Sequence, residues 1–360
     1  MRKLYICTIV LIFLSACGDS LDYTDKTLYH FRNTPVDSLH ISNYAVLEKY
    51  DLLMPYSVIK RGNIYYIWDE TSRDSIIVRF NTKDSTMIRG ISYGQGPGEL
   101  LPSIKFRDRR DTLFIYDTNR NQYYTVDEND KYLYISKYKT YPARGKDAER
   151  TFDVRFLPNG YITTGLQGDA WLATYDNRDS LLTTITYPRY PSFENVPNRE
   201  LGFVYSGSIV ILSPDERKII SASRNGSSLF FGTIEEGNRI REVKRWDYQE
   251  PELKRVRISE NDYAHALTIN TIEGFTGVAC TDKYVYAVYS GRTVATHGLG
   301  LQNNGEYLLV YDWDGNPVRH YVLEIPLRSV GYEEETGTLY GISQDPEGAL
   351  VEYKLNEEGL

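Results

Sequence analysis

Two glycine-containing stretches near residue 90 carry the spacings of catalytic and nucleotide-binding motifs. Gly90-Ile91-Ser92-Tyr93-Gly94 matches G-x-S-x-G, in which a serine nucleophile stands on a sharp turn between a strand and a helix. Gly94-Gln95-Gly96 begins like a dinucleotide-binding fingerprint, but Glu99 stands where the third glycine belongs. Because no helical pattern follows either stretch, the sequence predicts neither a catalytic serine nor a bound dinucleotide there.

Acidic and imidazole side chains do not complete a metal site. The segment from Asp117 to Glu128 places oxygen-bearing side chains at EF-hand-like positions, but Gln122 replaces the glycine that the sharp turn requires. The histidines show no zinc-binding spacing: His30, His40, His265, His297 and His320. We therefore expect a plain β-turn after Asp117. No catalytic residue, metal or cofactor is assigned.

The first twenty residues predict a secretory signal with a lipid-attachment site. Arg2 and Lys3 precede an apolar run that ends at Leu14 and is shorter than the about 20 residues of a spanning helix. Leu14-Ser15-Ala16-Cys17 resembles the bacterial lipobox, which implies that Cys17 is acylated and becomes the mature N-terminus. The alternative is a generic cleaved signal with an incidental cysteine.

These features divide the chain into three parts and predict its location. We expect a signal peptide over residues 1–16, lipidated Cys17 with a polar linker over 17–35, and one folded domain over 36–360. The predicted location is the cell envelope, lipid-anchored at the outer membrane or on the periplasmic side. Cys7 would leave with the signal, so Cys280, in an apolar strand-like stretch, is expected to be a buried thiol without a disulfide.

The overall charge narrows the class of partner. Forty-one basic and 49 acidic side chains give a formal net charge of −8, so no excess of cations exists to neutralise nucleic-acid phosphates. Apolar residues make up 41% of the chain, which argues against wholesale disorder. We expect a monomeric domain that binds no nucleic acid.

From Ser57 onward the chain repeats short strand-like runs separated by turn residues. The first cycle contains the runs 57–60, 64–69, 75–80 and 87–89, and its turns are rich in Gly, Asn and Asp. Five such cycles of four strands and one of three, each about 50 residues long, predict an all-β, six-bladed β-propeller of four-stranded antiparallel blades. The stretch from Val36 to Leu47 is expected to supply the missing strand and close the ring. A pair of β-sandwiches or a solenoid would not explain the deficit at one terminus.

One short motif links this pattern to a known family. Gly94-Gln95-Gly96-Pro97-Gly98-Glu99-Leu100, between the first and second cycles, resembles a sequence recurrent in TolB-like and NHL-like six-bladed propeller lipoproteins of Bacteroidota. Together with the lipobox and the aspartates that end second strands, the resemblance covers essentially the whole mature chain. It implies the fold and the anchor but no defined function.

The connections predict which face binds a ligand. In a four-stranded meander, the links between blades and the turns between second and third strands share one face, here called the loop face; the remaining turns form the turn face. The four long connections all fall on the loop face: residues 137–150, 187–205, 249–274 and 290–305. Eight of their residues are candidate ligand contacts: Arg144, Arg189, Tyr190, Tyr205, Arg257, His265, Arg292 and His297. Such a basic and aromatic rim would suit an anionic sugar, a carboxylate or an acidic peptide, although ordinary solvated loop charge is the alternative.

The central channel is the second candidate site. Innermost strands are expected to present Lys105, Asp153, Arg155 and Arg328 to it, a set with a single carboxylate, which argues against calcium. Two functions compete: a lipid-anchored binding or scaffold module for a protein, peptide or glycan, and a hydrolase, lactonase or lyase-type enzyme with its site in the channel. A purely structural envelope component is the third possibility, because propellers host all three. The 32 tyrosines fall mostly in the repeated strands, where they are expected to pack blade against blade.

Overall fold

Short antiparallel strands dominate the computed structural model of the protein. It describes residues 23–355 apart from 71–73, 102, 110–111, 130, 142–149, 167 and 260–261. The signal sequence and Cys17, together with the candidate Arg144, lie outside the described residues. Within them, three short α-helices accompany the strands: α1 (Lys26–His30), α2 (Asn198–Tyr205) and α3 (Val294–His297).

Six four-stranded blades form the body. Two strands precede it, β1 (Val36–Leu39) and β2 (Ile41–Val46). The blades then follow in chain order: blade one, β3 (Pro55–Arg61), β4 (Ile64–Asp69), β5 (Ile77–Asn81) and β6 (Thr86–Gly90); blade two, β7 (Ile104–Arg109), β8 (Thr112–Asp117), β9 (Gln122–Glu128) and β10 (Leu133–Thr140); blade three, β11 (Arg150–Leu157), β12 (Gly160–Leu166), β13 (Ala170–Asp176) and β14 (Leu181–Thr186); blade four, β15 (Ile209–Leu212), β16 (Lys218–Ala222), β17 (Ser227–Ile234) and β18 (Ile240–Gln249); an added hairpin, β19 (Leu253–Arg257) and β20 (Tyr263–Leu267); blade five, β21 (Phe275–Cys280), β22 (Tyr284–Tyr289), β23 (Gly305–Asp312) and β24 (Pro317–Leu327); and blade six, β25 (Ser329–Glu333), β26 (Thr338–Ser343) and β27 (Ala349–Lys354). The predicted six-bladed, all-β propeller of four-stranded antiparallel blades is confirmed.

Burial along the strands explains this arrangement. Middle strands such as β12 are buried at every position, because each blade is covered on both faces by its neighbours. The outer strand β10 is exposed along most of its length and carries alternating polar residues. The first strand of each blade lies innermost, and β21, β25, β3 and β7 contact one another in turn around the axis.

The N-terminal strands close the ring in two places. Strand β2 pairs antiparallel with β27 and supplies the fourth strand of blade six, as predicted for this stretch. Strand β1 instead pairs parallel with β24 and adds a fifth, outer strand to blade five. A segment expected to complete one blade therefore bridges two. This arrangement covers two sheet edges that would otherwise be unpaired.

Residues 23–35 correct the interpretation of this region as a linker. Asp25 caps α1 by accepting hydrogen bonds from the backbone N–H groups of Thr27 (2.7 Å) and Leu28 (3.0 Å). Leu28 and Phe31 are buried in a hydrophobic cluster shared by blades four and five. Two apolar side chains in an otherwise polar stretch are enough to dock it. The propeller thus begins before residue 36.

Tyrosine packing largely follows the prediction. Ten of the largest fully buried side chains are tyrosines, and they pack between neighbouring strands and blades: Tyr65, Tyr116, Tyr123, Tyr161, Tyr187, Tyr205, Tyr286, Tyr289, Tyr311 and Tyr353. Tyr132 and Tyr134, expected to be interblade residues, lie on the outer edge of blade two and are exposed. Cys280 is partly buried against the cluster of blades four and five, and burial raises the pKa of its thiol to about 12.

Candidate functional site

A cavity of about 590 Å³ occupies the central channel. Its wall is formed by the innermost strands, from Tyr56 and Gly207 near the loop face to Asp108 near the turn face. The loop-face end of this cavity, around Tyr56, Lys105, Arg224 and Arg328, is here called the mouth. Buried aspartates at the ends of two second strands position the wall. Asp69 accepts a hydrogen bond from the backbone N–H of Met54 (2.8 Å), and Asp117 accepts one from Leu101 (3.0 Å). Each carboxylate thus fixes the segment that enters the innermost strand of its own blade.

The cavity carries an excess of positive charge in an acidic protein. Five basic side chains line it: Lys105, Arg107, Arg155, Arg224 and Arg328. Two acidic side chains line it, Glu70 and Asp108. Asp108 belongs to an ion pair with Arg61, and burial raises the pKa of Glu70, which favours its neutral form. The net charge of the cavity lining is therefore positive, whereas the net charge of the whole chain is negative.

Asp153 is the buried counter-ion at the depth of the channel. Its carboxylate accepts a hydrogen bond from Arg107 Nη2 (2.7 Å) and lies 3.5 Å from Arg155 Nε. Burial alone would raise the pKa of Asp153, but Arg107, Arg155 and Lys105 together hold it below its ordinary value. Burial also lowers the pKa of Arg155 to about 10, with repulsion from Arg107 acting in the same direction. One carboxylate thus serves three cations.

Tyr56 organises the mouth of the cavity. Its hydroxyl oxygen accepts a hydrogen bond from Arg224 Nη1 (3.1 Å), and the guanidinium of Arg328 lies 4.2 Å from its ring centroid. Arg224 is held on its other side by Glu273, whose Oε1 accepts from Nε at 2.8 Å. Burial would raise the pKa of Tyr56, but nearby Arg224, Lys105 and Arg328 leave it lower than usual.

Several cationic atoms of the channel have no hydrogen-bond acceptor among the described residues. Arg155 Nε and Nη2, Arg107 Nε and Arg328 Nε are all buried and lack one. Lys105 makes no hydrogen bond or ion pair in the described part of the chain, and burial lowers the pKa of its amine, opposed by the attraction of Asp153. Buried donors without acceptors are costly in a folded protein. Four such atoms lie in the wall of this one cavity.

The structure places the four predicted channel residues together. Lys105, Arg155 and Arg328 line the cavity, and Asp153 lies behind its wall, bonded to Arg107. Sequence reasoning missed Tyr56 and Arg224. Tyr56 lies near the start of β3, and Arg224 lies in the short turn between β16 and β17. The sequence indicated these two residues only through their positions, because both lie in segments at the loop-face ends of strands.

The long connections form a packed layer around this mouth. His265 in β20 contacts Glu200 in α2, with 2.6 Å between Nδ1 and Oε2. The backbone N–H of Ala295 donates to the carbonyl of Ile269 (2.9 Å), which joins α3 to the segment after the hairpin. Arg224 Nη2 donates to Asn303 Oδ1 (3.3 Å) and ties the layer to the cavity.

Among the candidates of the loop face, two are buried within this layer instead of lining a surface. Tyr205 is only 1% exposed and stacks on Tyr187, so its ring belongs to the core of blades three and four. Arg292 is 7% exposed and pairs with Glu306 and Asp345. Both were expected to contact a ligand, and the structure corrects this. A long loop that packs on the ring must fill and neutralise its own interior.

The other loop-face candidates lie nearer the surface and take different partners. Arg189 donates to the Asn198 side chain, and the hydroxyls of Tyr190 and Ser228 are 3.0 Å apart. Arg257 is exposed in β19 and donates from Nε to the carbonyl of Ser259 (2.9 Å). His297 is exposed at the end of α3. The layer spreads these residues over several connections.

The glycine motif after blade one is a self-supporting turn. Glu99 accepts a hydrogen bond from the backbone N–H of Gly96 (2.7 Å), and a Cβ at Gly94 would collide with that carboxylate. Arg120 donates to the carbonyls of Glu99 (2.6 Å) and Gly94 (3.1 Å). Asp117 in turn accepts from the backbone of Asn119 and Arg120, which confirms the expected β-turn. The motif therefore has a structural role in linking blades one and two.

Two searches of the described residues concern metals and membranes. No group of three or more His, Cys, Asp or Glu side chains that could hold a metal ion is found among them. None of their helices is long and apolar enough to cross a membrane.

Comparisons with known proteins were made on sequence and on structure. A search of curated protein sequences finds no match. Among solved structures, the β-propeller domain of Cps50 (Swd1) from Myceliophteria thermophila is 10% identical, with a TM-score of 0.49 over 88% of this chain and 100% of that one. A DUF4221 family member from Bacteroides vulgatus is 13% identical, with a TM-score of 0.47 over 89% of this chain and 95% of that one. Hydrazine synthase from Kuenenia stuttgartiensis is 13% identical, with a TM-score of 0.42 over 84% and 96%.

The family model gives the assignment that these distant structures do not. The model described as TolB-like 6-blade propeller-like matches residues 36–334, which is most of the chain. That range includes five complete blades and reaches the innermost strand of the sixth. The protein belongs to the TolB-like six-bladed propeller family.

Proposed function

We propose that the protein is a lipid-anchored binding module of the cell envelope that takes up its ligand at the loop-face mouth of the channel. The observation that carries this proposal is the 590 Å³ cavity lined by converging cationic and aromatic side chains. Its volume lies in the range of ligand pockets, and propeller loops lie around its opening. The ligand would be a small molecule or the end of a protein, peptide or glycan.

The mouth is a better candidate than the loop tips because of what the loop side chains already do. Tyr205 and Arg292 hold the layer together, and His265 is engaged by Glu200. Arg257 and His297 keep exposed side chains and are proposed as outer contacts for a ligand that extends beyond the channel. Arg189 and Tyr190 would serve the same purpose from the connection after blade three.

Lipid anchoring at Cys17 would bring this mouth close to the membrane. Thr24 and Lys26 line a groove together with residues of the connections after blades three and four, so the chain enters the propeller on the loop face. Five residues separate Cys17 from Tyr23, a tether of at most about 20 Å when fully extended. TolB-like propellers are associated with the cell envelope, in line with this placement.

The anchor is tested by fractionation. Cys17→Ser removes the thiol that would be acylated, and the full chain should move from the membrane fraction to the soluble fraction. Cys280→Ser is the matched control and should stay with the membrane. Equal membrane retention of the Cys17→Ser variant would contradict lipid anchoring.

The ligand site is tested by blocking the mouth. Gly207 lines the cavity, and a side chain there would begin 3.4 Å from the Arg224 side chain, so Gly207→Phe should fill the opening. Thr184→Phe adds a similar ring on the exposed outer strand of blade three and is the control. Mass spectrometry of molecules co-purifying with the full chain should find a species bound to wild type and Thr184→Phe but lost from Gly207→Phe. Identical sets for all three proteins would contradict a ligand site at the mouth.

A channel enzyme is the second candidate, favoured by the altered acidity of two cavity groups. The pKa of Lys105 is lowered by burial, and Tyr56 is acidified by its cationic neighbours against the effect of burial. Groups perturbed in this way are common in active sites, where they exchange protons with a substrate. If the protein is a lyase or hydrolase, Tyr56→Phe should lower turnover of the co-purifying molecule by far more than it weakens the binding of that molecule.

A further inference from the structure

We infer that the channel mouth binds an oxyanion, a carboxylate, phosphate or sulfate group carried by the ligand, between Lys105, Arg328 and Tyr56. This inference rests on the proposed function and names the chemistry of its ligand. The three side chains come from blades one, two and six and meet only because innermost strands converge.

Two cations of the mouth, Lys105 and Arg328, form no ion pair with a carboxylate among the described residues. Arg224 is satisfied by Glu273 and Asn303, and Arg107 by Asp153. Arg328 donates from Nη1 to the neutral side chain of Gln344, its Nε has no acceptor, and its charge has no carboxylate within ion-pair distance among the described residues. Lys105 likewise has no acceptor there. An oxyanion offers several acceptor lone pairs and a compensating charge in one group.

Tyr56 adds a selective element to this pair of cations. Its oxygen already accepts from Arg224, which leaves its hydroxyl hydrogen free to point elsewhere. With Arg328 stacked on the ring, the hydroxyl is held at a fixed position beside the cations. A neutral sugar would find few acceptors at this mouth, whereas an anionic ligand would find mostly donors.

The depth of the channel limits how far the anion can enter. Asp153 lies behind the wall of the cavity, and the surrounding cations hold its pKa below its ordinary value, which favours its negatively charged form. An incoming anion is therefore attracted at the mouth and repelled by this carboxylate. The geometry favours a ligand whose charged group stops at Lys105 and whose remainder extends toward the loop layer.

The experiment uses the full chain in detergent and three probes: sodium sulfate, sodium phosphate and sodium acetate. Each is titrated by calorimetry against a sodium chloride background of equal ionic strength, so that screening is matched. We expect at least one probe to bind wild type, and Lys105→Met to bind it about tenfold more weakly or not at all. Lys83→Met, on an exposed turn of the opposite face, should bind like wild type. Lys105→Arg restores the cation and should recover binding.

A second variant protects the test against a folding defect. Arg328→Gln removes the other uncompensated charge and should also weaken binding about tenfold, with near-wild-type melting. The inference would be overturned if Lys105→Met and Arg328→Gln bound the probe as tightly as wild type, or if no probe bound wild type. If no probe binds wild type but a co-purifying molecule is lost only from Gly207→Phe, the proposed function holds and its ligand has a different chemistry. Anion binding without any such molecule would count against the proposed function alone.

Discussion

The two ends of the central channel use charge in opposite ways. At the turn face, Arg61 and Asp108 pair across blades one and two at 2.6 Å, and Arg109 binds both oxygens of Glu216 across blades two and four. At the loop face, Arg224 pairs with Glu273, but Lys105 and Arg328 find no carboxylate within ion-pair distance among the described residues. The pairs at the turn face join blades to one another, whereas the loop face keeps two cations available. The difference separates residues that hold the ring from residues that would hold a ligand.

Removing the charge of the buried Asp153 carboxylate should have the largest effect. Asp153→Asn leaves Arg107, Arg155 and Lys105 without their shared counter-ion, so the free energy of unfolding in urea should fall by about 3–5 kcal/mol. Asp108→Asn removes a more exposed partner and should cost less than about 1 kcal/mol. If Asp153→Asn were no more destabilising than Asp108→Asn, the cations would not depend on Asp153.

Glu216 tests the turn-face end of the channel. Glu216→Gln weakens two charged hydrogen bonds from Arg109, at 2.7 and 3.0 Å, and should lower the free energy of unfolding by about 1–2 kcal/mol. Glu235→Gln, in the exposed pair with Arg241, is the matched control and should change it little. Anion binding at the mouth should be unaffected in both variants. A loss of binding in Glu216→Gln would show that the two ends act together.

Much of the fold was predictable because the information is local. Each hairpin can be recognised in the sequence from strand-like runs and the turn residues between them, and the number of strands gives the number of blades. The parallel pairing of β1 with β24 was not predictable, because nothing in Val36–Leu39 distinguishes it from the strand that follows. The docking of Leu28 and Phe31 was missed for a similar reason, since two apolar residues in a polar stretch carry no period.

The candidate site was predictable only in part, because it is assembled across blades. The channel position of Lys105, Arg155 and Arg328 followed from the strand count alone. Burial of Tyr205 and the ion pairs of Arg292 depend on how loops pack on one another, which a single sequence does not encode locally. The long loops were therefore a poor guide to individual contacts.

Removing the unpaired cation should change stability in the opposite direction from removing a paired group. Lys105→Met replaces a partly buried amine that has no acceptor among the described residues with an apolar side chain of similar length, so the free energy of unfolding should rise by about 1 kcal/mol. Lys83→Met should leave it unchanged. Such a stabilising variant that also loses anion binding would identify Lys105 as a residue retained for a ligand. A destabilised Lys105→Met would instead place Lys105 with the structural cations.

The pH dependence of the stability difference between Lys105→Met and wild type should be the smallest of these effects. It is also the most direct test of whether the charge of Lys105 causes that difference. The folded-state pKa of Lys105 is lowered by burial from the ordinary value of 10.5, so the unfolded chain binds the proton more tightly than the folded one. The penalty is complete below the folded pKa and disappears as pH rises toward 10.5. The stability advantage of Lys105→Met over wild type should therefore shrink as pH rises through the folded-state pKa toward 10.5, while Lys83→Met tracks wild type throughout. Comparison between variants cancels the titration of the many tyrosines that all three proteins share. An advantage that stayed constant or grew with pH would mean that Lys105→Met acts through packing and not through the buried charge.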